Sequence, residues 1–339
     1  MRADDGEIQP GFVAMSDKLE GFWITQLLGT TVRLGVADAM GESIRTCNEL
    51  AAACAVDERC LFRLLRALQT VGVCVRIGQD GYRLSERGRI LRRNAVGSIC
   101  GRALFTSGIM WDLYGNLASV VRSGRPLPAG REGFARLATD PGLEGMHRAM
   151  VESSVRVIGD AIQVHEFGRY SRVLDVGGGF GGALGALLQR FPNMSGAVYD
   201  LSYLAEGAAS YMRELGVQGR GSFIAGDFFQ SVPTGFDCYL LKYIIHDWGD
   251  AEASEILATC AAAIGELGHL LLLERVLPEC MEETLPCQTI AQIDLAMMTT
   301  GGKERTAPEY DGLLEQAGLR MISISPTGSP CSVIHAVPR

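Results

Sequence analysis

Six glycines crowd into residues 177–185, directly after the short apolar run "RVLDV" at 172–176. A strand that runs into such a loop and on into a helix leaves the backbone open to a ligand, and it belongs at the carboxyl end of a parallel strand. The chain after residue 170 alternates accordingly. "RVLDV" is followed by "GALGALLQRF", "SGAVYDL" by "EGAASYMREL", then "GSFIAGDF", "FDCYLLKYIIHD" with "ASEILATCAAAI", and "HLLLLERV". Short buried strands separated by helices predict an α/β fold with a doubly wound, Rossmann-like parallel sheet. A chain of 339 residues leaves room for a second domain.

The first half has another rhythm. In "TCNELAAACAVDERCLFRLLRALQTVGVCVRIGQDGYRLSERGRIL" (46–91), Thr46 and Glu49 form a capping box. A second helix opens at Asp57 with Leu61, Leu64, Leu65 and Leu68 on one face. "VCVRI" and "GYRLS" follow as strands joined around "GQDG". Helix, turn, helix and β-wing make a winged helix. Arg59, Arg63 and Arg66 share a helical face, so DNA binding competes with a solvated face on a dimerisation module. The stretch "EGFWITQLLGTTVRLGVADAM" (20–40) is apolar nearly all round, which predicts burial, and a homodimer interface is the natural place. The expected organisation is a winged-helix dimerisation domain (1–100), bridging helices (101–165) lining a pocket with Trp111, Met146 and Met150, and a catalytic domain (166–339).

Composition narrows the function classes. The apolar runs are far too short to span a membrane, and no secretory leader is legible, so a cytoplasmic protein is expected. None of the ten cysteines forms a Cys-x-x-Cys pair, and Cys60, Cys74, Cys238 and Cys260 sit in apolar patterns. Buried free thiols are expected rather than disulfides or a metal centre. The net charge of −8 argues against general nucleic-acid binding.

Gly177-x-Gly179-x-x-Gly182 satisfies the dinucleotide fingerprint, which makes a nicotinamide cofactor the first candidate. Asp175 stands against it. A carboxylate at the mouth of the loop repels a pyrophosphate but favours the ammonium and sulfonium of S-adenosylmethionine. Asp200, followed by Leu201, ends the next strand, where a carboxylate can hold ribose hydroxyls of either cofactor. Asp227, after Gly226, ends the third, placed to accept the adenine amino hydrogens beside Phe228. Each acid alone could be a helix N-cap; three at successive strand ends form a far more specific pattern.

"LDVGGGFG", "YDL", "GDFF", "LLKYIIHDWGD" and "GGKERT", in this order, resemble the caffeate- and hydroxyindole-type O-methyltransferases over nearly the whole chain. The resemblance implies S-adenosylmethionine as methyl donor, S-adenosylhomocysteine as product, and a small aromatic hydroxyl compound as acceptor. It implies that Gly177, Asp200, Asp227, Phe228 and Lys242 contact the cofactor and that the N-terminal half dimerises. It implies too that His246 is the general base, flanked by Glu274, ending "LLLLE", and Glu304. Because a phenol is mostly protonated at neutral pH, a neutral imidazole is needed to take its proton, and a carboxylate on the far ring nitrogen fixes the tautomer. Sequence leaves open which glutamate does so; Asp247 reads as a turn residue. Tyr243, Met297 and Met298 are expected on the acceptor side, where "LAMMTT" is shorter than in the plant enzymes. The Ala-, Gly- and Arg-rich composition hints at bacterial natural-product tailoring. Within the same fold, hydroxylation or decarboxylation of an aromatic polyketide is the alternative, with the sulfonium serving as a fixed positive charge. A nicotinamide oxidoreductase and a winged-helix regulator are the more distant ones.

Overall fold

The structure, a computed structural model, describes residues 10–127 and 144–339. The chain divides into two compact units, Met1–Trp111 and Asp112–Arg339.

In the first unit a three-stranded antiparallel sheet is ordered β1 (Arg45–Thr46), β3 (Gly81–Leu84), β2 (Cys74–Ile77). Thr46 and Glu49 make the capping box, and Asp57 caps the helix Glu58–Thr70 by accepting from the Cys60 amide at 3.0 Å. Leu61, Leu65 and Leu68 are buried with Leu50 and Tyr82, so the apolar period built the helix pair as expected. Cys60 departs from its expectation: it is exposed in the first turn, on the face away from those leucines. All ten cysteines are free thiols.

Residues 20–40 are not one buried helix. They form Phe22–Arg33 and Val36–Met40, broken at Gly35, whose φ of +70° lies in the left-handed region open to glycine. Leu27 and Val32 reach the core, whereas Phe22 is 57% exposed, beside Phe12 and Leu19 of the preceding helix Pro10–Glu20 at 67% and 76%. The bridging segment expected at 101–165 is also divided. The helix Cys100–Phe105 and the π-turn Thr106–Met110 pack on Phe22–Arg33. Gln26 donates to the Ser107 carbonyl at 3.1 Å, and Gly29 has no room for a Cβ, which would stand 1.9 Å from Ser107 Oγ. Trp111 therefore goes with the first unit, its ring 6.4 Å from that of Phe22.

The second unit is built on a sheet of eight strands. Seven lie in the order β10 (Leu319–Pro326), β11 (Cys331–Pro338), β8 (His269–Leu277), β7 (Cys238–Lys242), β4 (Arg172–Val176), β5 (Ser195–Asp200), β6 (Gly221–Ala225). From β8 to β6 all neighbours are parallel; β10 and β11 close one side as an antiparallel pair that the strand–helix pattern does not announce. The short β9 (Arg305–Thr306) runs beside the end of β8. Leu174, Tyr239, Leu241, Leu270 and Leu272 face one core, and Val173, Leu240, Leu271 and Leu273 face the other. This period of two, apolar on both faces, marks a sheet covered on both sides. The helix Glu144–Ala161 packs on Gly182–Arg190 and so joins this unit. Among the described residues no helix is long and apolar enough to cross a membrane.

Three of the five histidines meet at the start of β8. His269 Nδ1 and His335 Nε2 are 2.9 Å apart, His165 lies edge-on to His335 at 5.3 Å, and His165 Nε2 pairs with the Tyr170 hydroxyl at 2.9 Å. Burial pushes all three imidazoles below their ordinary value, helped by the charge of Arg169, and takes His335 down to about 4. A neutral imidazole favoured by the fold adds stability above its unfolded value, about 6.5, and loses it as pH falls toward the folded value. Wild-type stability in urea should therefore decline between pH 6.5 and 4 more steeply than that of His335→Phe. Equal slopes would show that His335 titrates normally.

Candidate active site

Between β4 and the helix Gly182–Arg190 the backbone turns at Gly177 with φ +71°. A Cβ there would stand 2.5 Å from Ile244 Cδ1, so the loop tolerates no side chain at this point. Asp200, at the end of β5, accepts from the amides of Gly179 at 2.8 Å and Leu201 at 2.7 Å and ties the loop to the neighbouring strand. Burial raises its carboxyl from the usual range while those two amides oppose the shift. Asp227 accepts from the Phe229 amide at 3.0 Å, and half-buried Phe228 lies beside it. Gly226 passes so close to Tyr199 that a Cβ would meet its hydroxyl at 2.3 Å.

Asp175 was expected at the mouth of the loop; it lies beneath it, 1% exposed. Its Oδ2 accepts from the Leu184 amide at 3.2 Å, and its Oδ1 has no hydrogen-bond partner among the described residues. Burial raises its carboxyl to about 7 against the Leu184 amide and the charge of Lys242 at the end of β7. An unpaired carboxylate oxygen beneath a glycine-rich loop, with acids at the ends of β5 and β6, fits a ligand rich in donors and positive charge better than a pyrophosphate.

After β7 the chain makes a tight turn through Ile245–Asp247 that carries His246, 6% exposed. His246 Nδ1 stands 2.8 Å from Glu304 Oε1. Glu274 does other work: its Oε1 accepts the amides of Ile244 at 3.0 Å and Ile245 at 2.8 Å, holding the turn itself. Nor does Glu274 end its strand, because β8 runs on to Leu277 and pairs with β9. Burial would push the His246 imidazole down, but Glu304, Asp247 and Glu274 outweigh it and raise the ring to about 9. Burial pushes Glu274 up to about 7, while His246 and Arg275 hold Glu304 below the usual carboxylate range despite its burial. His246, Glu274 and Glu304 offer ligand atoms within 4.8 Å of one another, close enough for a small cation. Nδ1 and the two Oε1 atoms, however, are already engaged with each other or with the backbone.

The sequence reading missed much of the support. The "GGKERT" segment clasps the turn from below: the Lys303 amide donates to the His246 carbonyl at 2.9 Å, and Gly302 lies so close that a Cβ would stand 2.2 Å from that oxygen. Arg305, fully buried, donates to the carbonyls of Ile245 at 2.9 Å and Trp248 at 2.8 Å and to Asp250. Asp294 accepts the Glu304 amide at 2.9 Å. On the other side His147 stacks on Phe180 of the glycine loop, ring centroids 4.5 Å apart. The phenylalanine inside "GGGFG" was the available signal for that contact.

The expected pocket residues are only partly gathered. Tyr243 stacks on His246 at 5.3 Å. Met297 and Met298 are half-buried in the helix Leu285–Thr300, which ends at Gly301 close to the His246 turn. Met146 and Met150 lie one turn apart on Glu144–Ala161, Met150 37% exposed. Trp111 belongs to the first unit.

Comparison with known proteins finds matches in both units. The family described as O-methyltransferase domain matches residues 114–320, and that described as O-methyltransferase dimerisation domain matches 16–94. The O-demethylpuromycin-O-methyltransferase of Streptomyces alboniger is 31% identical, with 94% of this chain and 87% of that protein covered. The crystal structure of LaPhzM superposes with a TM-score of 0.91 at 28% identity, covering 97% of this chain and 100% of that one. The O-methyltransferase NcsB1 from neocarzinostatin biosynthesis was solved with S-adenosylmethionine and 2-hydroxy-5-methyl naphthoic acid. It has a TM-score of 0.73 at 31% identity and covers 93% and 96%.

Arg305→Met keeps the length of the side chain and removes the buried guanidinium donors from the carbonyls of Ile245, which also accepts the Trp248 amide at 3.3 Å, and of Trp248. A destabilisation of about 2–4 kcal/mol is expected in urea unfolding. A loss below about 0.5 kcal/mol, the scale of an ordinary surface substitution, would mean the clasp does not depend on this guanidinium.

Proposed function

Because this chain belongs to the O-methyltransferase family, we propose that it transfers the methyl group of S-adenosylmethionine to a hydroxyl of a small aromatic natural product, with His246 as the general base. The observation that carries the reading is the 2.8 Å contact between His246 Nδ1 and Glu304 Oε1. With the Nδ1 proton on that carboxylate, the lone pair lies on Nε2, the atom a phenolic proton must reach. Asp247 Oδ1 stands 3.4 Å from Nε2 and is the group an acceptor hydroxyl would displace there.

S-adenosylmethionine, when bound, supplies an electrophilic methyl on a sulfonium. The chain contributes position and proton transfer. Asp200 holds the glycine loop and would offer its remaining lone pairs to the ribose hydroxyls of the cofactor; Asp227, which accepts the Phe229 amide, would accept the adenine amino hydrogens beside Phe228. Gly177 and Gly179 give the backbone its close approach, and Lys242 balances the buried charge of Asp175. Glu274 fixes the turn and Glu304 fixes the ring, which divides between two residues a role the sequence left open. In-line displacement then needs only that the hydroxyl be held against Nε2 and the methyl together. The acceptor class rests on the relatives, one of them solved with a hydroxynaphthoic acid, and on half-buried Met297 and Met298. The exposed Phe12, Leu19 and Phe22, in or beside the matched dimerisation domain, support a homodimer through the first unit.

Incubation with S-adenosylmethionine and a panel of hydroxylated aromatics, read by mass spectrometry, should give methylated product and S-adenosylhomocysteine in equal amounts. His246→Ala should lower turnover by roughly 10²–10⁴-fold with cofactor affinity little changed. Near-normal turnover would remove it as the base. A product that gained oxygen or lost a carboxyl group, without S-adenosylhomocysteine, would replace methyl transfer with the alternative chemistry. Asp200→Ala should weaken cofactor binding by about tenfold or more in calorimetry, and unchanged affinity would undo the ribose assignment.

A further inference from the structure

Arg275 has no part in the chemistry described so far, yet it sits in the middle of it. It follows Glu274 in β8, so the two side chains leave opposite faces of the strand. Its Nη1 donates to Glu304 Oε1 at 3.3 Å, the same oxygen that stands 2.8 Å from His246 Nδ1. Its guanidinium carbon lies 4.0 Å from the centre of the Tyr243 ring. That ring is in turn stacked on the His246 imidazole, with 27° between the planes. The Arg275 side chain is only 13% exposed, and its Nε has no hydrogen-bond partner among the described residues. Tyr243 carries a φ of +56°, a left-handed conformation that a bulky side chain keeps only when its surroundings enforce it.

We propose that Arg275 is a positioning residue of the proton-accepting pair: through Glu304 it holds the carboxylate on His246 Nδ1, and through Tyr243 it holds the plane of the imidazole. What the pair is used for rests on the methyl-transfer reading; the clamp is a property of the free enzyme.

The charges around His246 show why a cation is required. Three acids face it: Glu304 from the segment before β9, Asp247 from its own turn, and Glu274 from β8. Together they favour the imidazolium, the form that cannot accept a proton. Against them stand Lys242 from the end of β7 and Arg275, and of these only Arg275 is hydrogen-bonded to Glu304. Tyr310 and Cys331, from the helix Ala307–Gln316 and from β11, also face the acids, but burial keeps both protonated and neutral. Removing Arg275 takes positive charge away from Glu304, so the proton on His246 is held more tightly. The imidazole then gives up its proton at higher pH, and the acid limb of the rate moves up with it. Lysine would restore the charge but not the planar face that lies on Tyr243.

The imidazole resonances of the free enzyme, five histidines with His246 identified by its loss in His246→Ala, give a direct test. In Arg275→Met and Arg275→Gln the His246 midpoint should rise by about one pH unit, which is tenfold less free base at a given pH. The acid limb of kcat/KM for the acceptor, which reports the free enzyme, should move by the same amount, with KM for S-adenosylmethionine within about twofold of wild type. Arg275→Lys should return the midpoint most of the way while kcat stays lowered. If either neutral variant folds and its midpoint stays at the wild-type value, the proposal is overturned. If neither folds, the proposal rests on Arg275→Lys, and a kcat in it equal to wild type overturns the clamp on Tyr243. A midpoint that moves in an enzyme making no methylated product would sink the methyl-transfer reading and leave the clamp. Methylation that depends on His246, with no movement of the midpoint, would do the reverse.

Discussion

A carboxylate kept ionised away from water costs several kcal/mol unless every lone pair that matters finds a proton or a cation. Glu304 is 1% exposed and its Oε2 has no hydrogen-bond partner among the described residues, so its stabilising contacts concentrate on Oε1 and on the backbone around it. His246 and Arg275 share its Oε1, and Asp294 accepts a hydrogen bond from its amide and sets where the backbone passes. The residues on either side are bound to the turn they support, Lys303 through its amide to His246 and Arg305 through its guanidinium to Ile245 and Trp248. Glu274 closes the same turn from the strand side. Two segments about sixty residues apart in sequence thus hold each other with the imidazole between them.

The sheet decides which groups can take part. Parallel strands β4, β5, β7 and β8 bring Asp175, Asp200, Lys242 and Glu274 to one end, and the period of two sends adjacent residues to opposite faces. Asp175 and Lys242 continue the rows of Val173 and Leu240, beneath the glycine loop; Glu274 continues the row of Leu270 and Leu272, beneath the His246 turn. The pleat therefore puts Asp175 and Lys242 on one face and Glu274 on the other, and Tyr243, directly after β7 in a left-handed conformation, leads the chain into the His246 turn.

Misreadings of the sequence have physical causes. Glu274 looked like the end of its strand because the apolar run stops there; a partner strand of two residues, too short to leave any periodic trace, extends it to Leu277. Asp175 was expected at the mouth of the loop because it borders it in sequence, although its position in the pleat turns it inward. Residues 20–40 read as one helix because apolar content does not register the break at Gly35. Arg275 and Arg305 passed as ordinary charges, since nothing local distinguishes a buried arginine whose partners lie 29–60 residues away from a solvated one.

Local patterns along the chain were enough to determine the strand–helix alternation, the glycine loop, the winged-helix half with its caps, and the set of acids and the histidine at strand ends. Each depends on residues within a few positions of one another, where backbone preference and apolar period act directly. Tertiary structure alone decided which glutamate meets the imidazole, which one holds the turn, and that an arginine stands behind both. Those choices depend on where β8 and the segment before β9 are brought together in space, which sets one carboxylate at hydrogen-bond distance from the ring and turns the other to the backbone.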